Sequence, residues 1–353
     1  MLNNKTMVLA AIGFFWLVQP FLLLHCFVRQ PRWKQWNGLA LFILGNAWLS
    51  RKLLHVREPN TDICVIWGPC CVLLCRYLHA IGAGGHQFAK EYGLTPRHTT
   101  LVNATLLTVP MGPIFHIKDT PVVGDNGNAG RIIWRRLLSG AFSMTTMYSI
   151  FYVVITCRID EYIPTWMERT LYMICLCFCE DGGTIFFEIP YRICMALLGI
   201  NNVIVSPNLY LPILSTSPRN FWRRWSLVNA FSLQKGIYLP LRRRGYSRPL
   251  ATLMTFATNS AVHMLTLGYF LQGIWHAKAW FYILIVFPMT SLWLQDRFAT
   301  AKQSWVLSII NYLLLILPML QLQPLLAQVI LLPPDLHGFA IHMFQSIGIT
   351  GFN

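Results

Sequence analysis

The sequence predicts an all-α, polytopic transmembrane protein, and three observations lead there. Of its 353 residues, 55% are apolar or aromatic and only 12% are Asp, Glu, Lys or Arg, whereas about a quarter of a soluble domain is charged. The mean hydropathy is +0.49, so polar groups are too few to cover a water-soluble globule. Apolar runs of about 17–25 residues, the length that crosses a hydrocarbon core of about 30 Å, recur along the chain. In lipid, helices satisfy their own backbone polar groups. A soluble enzyme is thereby excluded, and an aromatic content of 14% excludes disorder.

Taken in order, the first apolar run covers Thr6–Val28. It is longer than a signal-peptide core and is followed by Arg29, Arg32 and Lys34 instead of a small-residue cleavage site, so it is expected to be a retained span. Asn37–Ser50 is shorter, and Asp62–Ala83 is interrupted by Gly68-Pro69 and carries Arg76. Thr100–Ile117, Ser139–Cys157, Tyr172–Gly182, Thr184–Ile200, Leu250–Ile274, Ala279–Leu294 and Trp305–Leu322 follow, with Leu322–Leu332 as a short or interfacial piece. The expected total is about eight to ten membrane segments, the range arising at the Gly and Pro interruptions. Neither a repeat nor two similar halves is visible, which argues against an inverted-repeat transporter. The polar loops are brief, Lys118–Arg136 and Ser206–Arg248 being the longest, so residues 1–353 are expected to form a single integral membrane domain.

Twenty-eight Lys and Arg against 13 Asp and Glu leave a formal charge of +15. In a membrane protein that excess belongs in loops facing the cytosol and the anionic leaflet. With no separate basic soluble domain, membrane lipids and not nucleic acid are the expected partners. Most of the 10 cysteines lie in apolar runs, where they act as small hydrophobes. Cys71, Cys75 and His79, four apart, would share one helix face; helix packing is favoured there over a metal site, and no metal is expected. Glu180 and Asp181 precede Gly182-Gly183, with Glu188 beyond, either in water at an interfacial turn or as intramembrane carboxylates with a function.

The most unusual stretch runs from Arg219 to Arg248. It holds Arg219, Arg223, Arg224, Lys235, Arg242, Arg243, Arg244 and Arg248 and no acid. Its first part, Ser217-Pro218-Arg219-Asn220-Phe221-Trp222-Arg223-Arg224-Trp225, opens as a helix at Ser217 and Pro218. Phe221, Trp225 and Val228 would then share one face, and Arg219 and Arg223 another, as in an amphipathic helix at the membrane interface. Such a segment is either an anchor with positive-inside arginines or the receiver of a polyanionic co-substrate, since guanidinium forks match phosphate oxygens.

Leu250–Ile274 is almost wholly apolar yet contains Asn259, Ser260 and His263. The 13 residues from Leu250 to His263 place the imidazole about 20 Å along a helix, well inside the hydrocarbon core. An ionisable side chain at that depth is expensive unless it faces a cavity or a partner. It is either a histidine satisfied by a neighbouring helix or a general base toward an alcohol.

Together, the Asn-Phe-Trp-Arg-Arg-Trp run at 220–225, the basic stretch after it and the helix bearing Asn259-Ser260-Ala261-Val262-His263 resemble the membrane-bound O-acyltransferase superfamily. The similarity is to its wax-synthase-like branch, which includes plant wax synthases and fungal terpenoid O-acetyltransferases. That branch carries a Phe-Trp-Gly-Arg-Arg-Trp-type motif followed some forty residues later by Ser-Gly-Leu-Met-His-Glu; here 39 residues separate Arg224 from His263. This chain lacks the Gly, has Ser226 where the family usually has His or Asn, and has Met264 in place of the acid. The signature region is 206–270; elsewhere only the multi-span architecture agrees.

The resemblance implies acyl transfer from an acyl-CoA co-substrate to a hydroxyl of a lipophilic, terpenoid-like metabolite, with acetyl as the favoured group and no bound cofactor. His263 would be the base, with Asn220 or Asn259 orienting it or stabilising the oxyanion. Arg219, Arg223, Arg224 and Arg242, Arg243 and Arg244 would attract the CoA phosphates, and Trp222 and Trp225 would line the entrance for the pantetheine arm. It also implies a multi-pass protein of the endoplasmic reticulum. The alternatives are a wax-ester synthase using fatty acyl-CoA and fatty alcohol, a membrane terpene cyclase working through Glu180, Asp181 or Glu188, and a transporter. Oligomeric state is not legible.

Overall fold

The computed structural model describes residues 30–53, 68–91, 114–116, 129–179, 182, 203–205, 215, 217–224, 227–263, 281–298, 305–307, 309–310, 313 and 333–351. Its helices are, in chain order, α1 (Arg32–Leu53), α2 (Gly68–Ala83), α3 (Gly85–Glu91), α4 (Ala129–Cys157), α5 (Ile159–Tyr162), α6 (165–179), α7 (Pro218–Arg224), α8 (Leu227–Leu233), α9 (Leu239–Arg243), α10 (Arg248–His263), α11 (Phe287–Phe298) and α12 (Leu336–Ser346). Two π turns occupy Gln234–Tyr238 and Tyr282–Val286. The fold is thus helical, as expected, with one exception. Ile114–His116 (β1) pairs antiparallel with Val203–Val205 (β2), Phe115 opposite Ile204. The apolar run Thr100–Ile117 therefore ends in a strand, which its β-branched and aromatic residues favour.

The long polar loop expected at Ser206–Arg248 is also corrected. From Pro218 to Arg243 the described chain is nearly all helical, in short pieces joined by a π turn. Leu, Ala, Gln, Lys and Arg are good helix formers, and the apolar positions among the arginines bury against neighbouring helices. Thr6–Val28, Glu180, Asp181, Glu188 and the Cys71 side chain lie outside the described residues.

The chain forms two compact units. The first comprises Met1–His116, Val203–Ser206 and Ser226–Val286, the second Ile117–Asn202, Pro207–Trp225 and Phe287–Asn353. In the first, α2 packs against α1, α8 and the π turn at 234–238. Its centre is a backbone-to-backbone approach: a Cβ placed on Gly236 would sit 2.7 Å from the Leu78 carbonyl, and one on Gly82 would overlap the Gly236 carbonyl. Small residues permit such contact between apolar helices, where van der Waals packing holds them together. Around it lie buried Leu73, Leu74, Tyr77 and Leu78. His79, fully buried, meets the rings of Phe88 at 5.1 Å and Phe231 at 5.5 Å edge to face, the packing role favoured for it.

In the second unit α4 is the long element. Its stretch Leu137–Cys157, 21 residues, is apolar and long enough to cross a membrane, and only 28% of its apolar window is buried within the protein. Ser143, Met147, Phe151 and Val154 form its buried stripe, spaced four, four and three apart as one helix face requires. α12 lies against that stripe. Phe339 meets Phe151 edge-on at 5.0 Å and stacks on Tyr172 at 4.5 Å. Asp335 caps α12 by accepting from Gly338 N at 2.6 Å, and the Glu168 carboxylate accepts from Leu336 N at 3.0 Å, so two of the amides orphaned at a helix start are satisfied.

Gly236→Val is expected to abolish the folded peak in size-exclusion chromatography of detergent-solubilised protein, because neither backbone can retreat. Phe339→Ala, which empties a fully buried ring site, is expected to destabilise the second unit by about 3 kcal/mol or more, visible as a lower thermal unfolding midpoint.

Candidate functional site

The expected site residues fall on two elements, α7 in the second unit and α10 with its preceding turn in the first. On α7, Ser217 is the cap: its hydroxyl accepts from Asn220 N at 3.2 Å, and Phe221 N bonds the Ser217 carbonyl at 2.9 Å. Pro218 occupies the first turn, where a missing N–H costs nothing. Phe221 is buried and packs edge-on to Phe287 of α11.

The polar residues of α7 are used largely to hold it on α11. Trp222 Nε1 donates to Ser291 Oγ at 3.3 Å, with its indole 5.4 Å from the Phe287 ring. Arg219 donates to Asp296 at 2.7 Å, and its backbone N–H donates to Gln295 Oε1 at 2.8 Å. Arg224 Nε donates to Asn220 Oδ1 at 3.2 Å. Trp222 and Arg219 are therefore packed and paired, and Asn220 turns its amide oxygen to Arg224. The side chains of Arg223 and Val228 and all of Trp225 lie outside the described residues, so of the expected face through Phe221, Trp225 and Val228 only Phe221 is described. Ser291, Gln295 and Asp296 lie about seventy residues away in sequence, and no spacing rule reaches that far.

In the first unit α9 ends at a tight turn. Gly245 takes φ +85°, a left-handed conformation that glycine adopts without a Cβ penalty. Tyr246 N bonds the Leu241 carbonyl at 3.2 Å, and Arg242 closes the turn by donating to the Tyr246 carbonyl at 2.6 Å. Arg243, Arg244 and Arg248 are exposed, and among the described residues they make no side-chain hydrogen bond or ion pair. After the turn, Ser247 Oγ lies 3.5 Å from Leu250 N at the start of α10, and Pro249 again sits in the first turn. No acid occurs in that turn, so the positive end of the helix dipole adds to the three guanidinium groups.

α10 runs unbroken from Arg248 to His263, which bears out the helical placement of the imidazole. His263 Nδ1 lies 2.9 Å from the Asn259 backbone carbonyl. A carbonyl only accepts, so Nδ1 carries the proton in this bond, and in the neutral ring the lone pair belongs to Nε2. Asn259 thus orients the ring through its backbone. Among the described residues its side-chain Oδ1 is buried with no hydrogen bond, and the same holds for the Ser260 hydroxyl one residue on. No group of three or more His, Cys, Asp or Glu able to hold a metal occurs among the described residues. The chain matches no protein-family model and no curated protein sequence.

Phe221→Ala is expected to release α7 from α11 at a cost of about 3 kcal/mol. Asp296→Asn, which removes only an exposed ion pair, is expected to cost under about 1 kcal/mol. Thermal unfolding of the two variants side by side checks both.

Proposed function

We propose that the protein is a multi-pass membrane O-acyltransferase that moves an acyl group, acetyl in preference, from acyl-CoA to a hydroxyl of a lipophilic metabolite. The observation that carries this reading is the hydrogen bond that holds the His263 ring. Its Nδ1 lies 2.9 Å from the Asn259 carbonyl, so in the neutral ring Nε2 is the nitrogen that would act as the base.

In this mechanism Nε2 takes the proton of the acceptor hydroxyl as its oxygen attacks the thioester carbonyl. The tetrahedral intermediate collapses, the C–S bond breaks, and the imidazolium returns the proton to the CoA thiolate. The Asn259 amide supplies an N–H donor near the developing oxyanion. Exposed Arg243, Arg244 and Arg248, beside the N-terminus of α10, suit the CoA phosphates. Arg219, already paired with Asp296, and Trp222, bonded to Ser291, fit the role of fixing the first motif. A site within the bilayer excludes water, which would otherwise hydrolyse the thioester, and admits the acceptor laterally. The reading includes residence in the endoplasmic reticulum membrane and a polytopic arrangement in which α4 is one of several spans.

Membranes containing the protein, incubated with labelled acetyl-CoA or palmitoyl-CoA and a mixed lipophilic alcohol extract, should form ester with acetyl-CoA. His263→Ala should lower the rate by about 10²- to 10⁴-fold with unchanged membrane insertion. Preference for palmitoyl-CoA would make the enzyme a wax-ester synthase, and conversion of an unacylated terpenoid without CoA would replace acyl transfer by cyclisation. Changing Arg243 and Arg244 together to Ala should raise the KM for acyl-CoA with little change in kcat, and the effect should shrink at high salt.

A further inference from the structure

The formal charge of +15 is shared very unevenly between the two units. Residues of the first carry 16 Lys and Arg against 3 Asp and Glu, and residues of the second 12 against 10. From Ser226 to Val286, the last stretch of the first unit, the sequence holds no acid at all. In that stretch the exposed cations gather at the turn between α9 and α10. Every residue from Arg242 to Leu250 is exposed. Arg242 is spent on the Tyr246 carbonyl, which leaves Arg243, Arg244 and Arg248 as an uncompensated positive patch.

The surface next to these guanidinium groups is apolar. Leu250, Leu253 and Met254 are exposed, and offsets of three and four residues put them on one face of α10. The exposure stops there, for every residue from Thr255 to His263 is buried or half-buried. Arg248 and Met254 are six residues apart, about 9 Å along the axis, a depth over which an interfacial helix sinks its apolar face past the headgroups. Exposed Tyr246 lies in the turn itself, the level at which aromatic rings collect. The same order recurs in the first unit at the start of α1. Exposed Arg32 and Lys34 accompany exposed Trp33 and Trp36, Lys34 Nζ lies 5.4 Å over the Trp33 ring, and Leu41 and Leu44 are exposed further along. A nucleic acid would use the cations and leave the aliphatic side chains in water. A phospholipid uses both, its phosphate on the guanidinium forks and its chains on the aliphatic face.

We propose that the α9–α10 turn is a binding surface for anionic phospholipid, with Arg243, Arg244 and Arg248 on the headgroups and Leu250, Leu253 and Met254 against the acyl chains beneath. The first unit thereby faces the anionic leaflet, to which basic segments are drawn. This rests on the membrane placement in the functional reading and not on acyl transfer.

The test uses the full-length protein in phosphatidylcholine nanodiscs, without CoA, so that no other polyanion competes for the arginines. The discs are doped with phosphatidylserine or phosphatidylcholine carrying the same photoactivatable diazirine on the acyl chain, and labelled residues are located by mass spectrometry. Exposed Leu138 and Phe142 of α4 are the reference for unselective lipid contact. Relative to them, phosphatidylserine is expected to label Leu250, Leu253 and Met254 at least about fivefold more than phosphatidylcholine, the factor contributed by one arginine at an anionic surface. That preference is expected to shrink as salt is raised. Changing Arg243, Arg244 and Arg248 together to Gln is expected to bring the ratio to within about twofold of unity, and the salt series on the wild type decides if this variant does not fold. Equal labelling by the two lipids overturns the proposal, as does a preference that survives in the triple variant or ignores salt. A turn that neither lipid labels while α4 is labelled also overturns it, and is the result expected if another protein surface covers the patch. Labelling of neither α4 nor the turn removes the membrane placement as well. Each of the other failures removes the lipid site alone and leaves acyl transfer to its own assay.

Discussion

More than half of this chain is apolar, so the polar groups that sit among its helices have to be satisfied from within, and much of what is distinctive in this structure follows from that constraint. Thr156, Thr170, Thr255 and Thr258 all donate to carbonyls one turn back. Trp222 finds Ser291, Tyr172 finds the Pro333 carbonyl at 3.1 Å, and Glu168 reaches the first amide of α12. Each of these bonds is modest in net stability, but leaving its donor or acceptor unpaired in an apolar surrounding would be costly. Where the helices touch they pack closely, through the Gly82–Gly236 approach in one unit and the Phe151–Phe339–Tyr172 ring cluster in the other.

Against that background the behaviour of α10 stands out. Its imidazole is fixed by a backbone carbonyl, and two oxygens on the preceding turn are left without partners although one of them has the local remedy its neighbours use. The basic turn before it is arranged in the same spirit. Arg242 is consumed in closing the turn, while Arg243, Arg244 and Arg248 project from it. One arginine of the turn holds the chain while the others stay exposed, and the residue types alone do not reveal which is which.

The helical character of the chain was legible because it rests on composition and apolar run length, quantities that survive any arrangement in space. So was α10, where thirteen apolar-dominated residues carry the histidine without a breaker. The α12 segment was overlooked, since Pro333-Pro334 and two histidines mask a stripe of Leu336, Phe339, Ala340 and Phe344. The strand pair was missed because three-residue strands carry no period. In the basic stretch the sequence showed charge but not use: arginines were read as free because their partners, Asp296 and the Tyr246 carbonyl, are supplied by tertiary contact or by a turn whose geometry depends on Gly245. The orienting role of Asn259 was assigned to its amide, when helix geometry brings its carbonyl to the ring instead.

The π turn at Gln234–Tyr238 sits between α8 and the basic turn. A π turn accommodates one residue more than an α-helix needs. Removing one residue there would let the segment close as ordinary α-helix with the arginines and the first turn of α10 in the phase they have now, whereas removing one from α8 would turn the later side chains of the same helical run by about 100°. The five positions thus tolerate a change of length that the helices beside them do not. Gly236 limits their identity, because a Cβ there would collide with the Leu78 backbone.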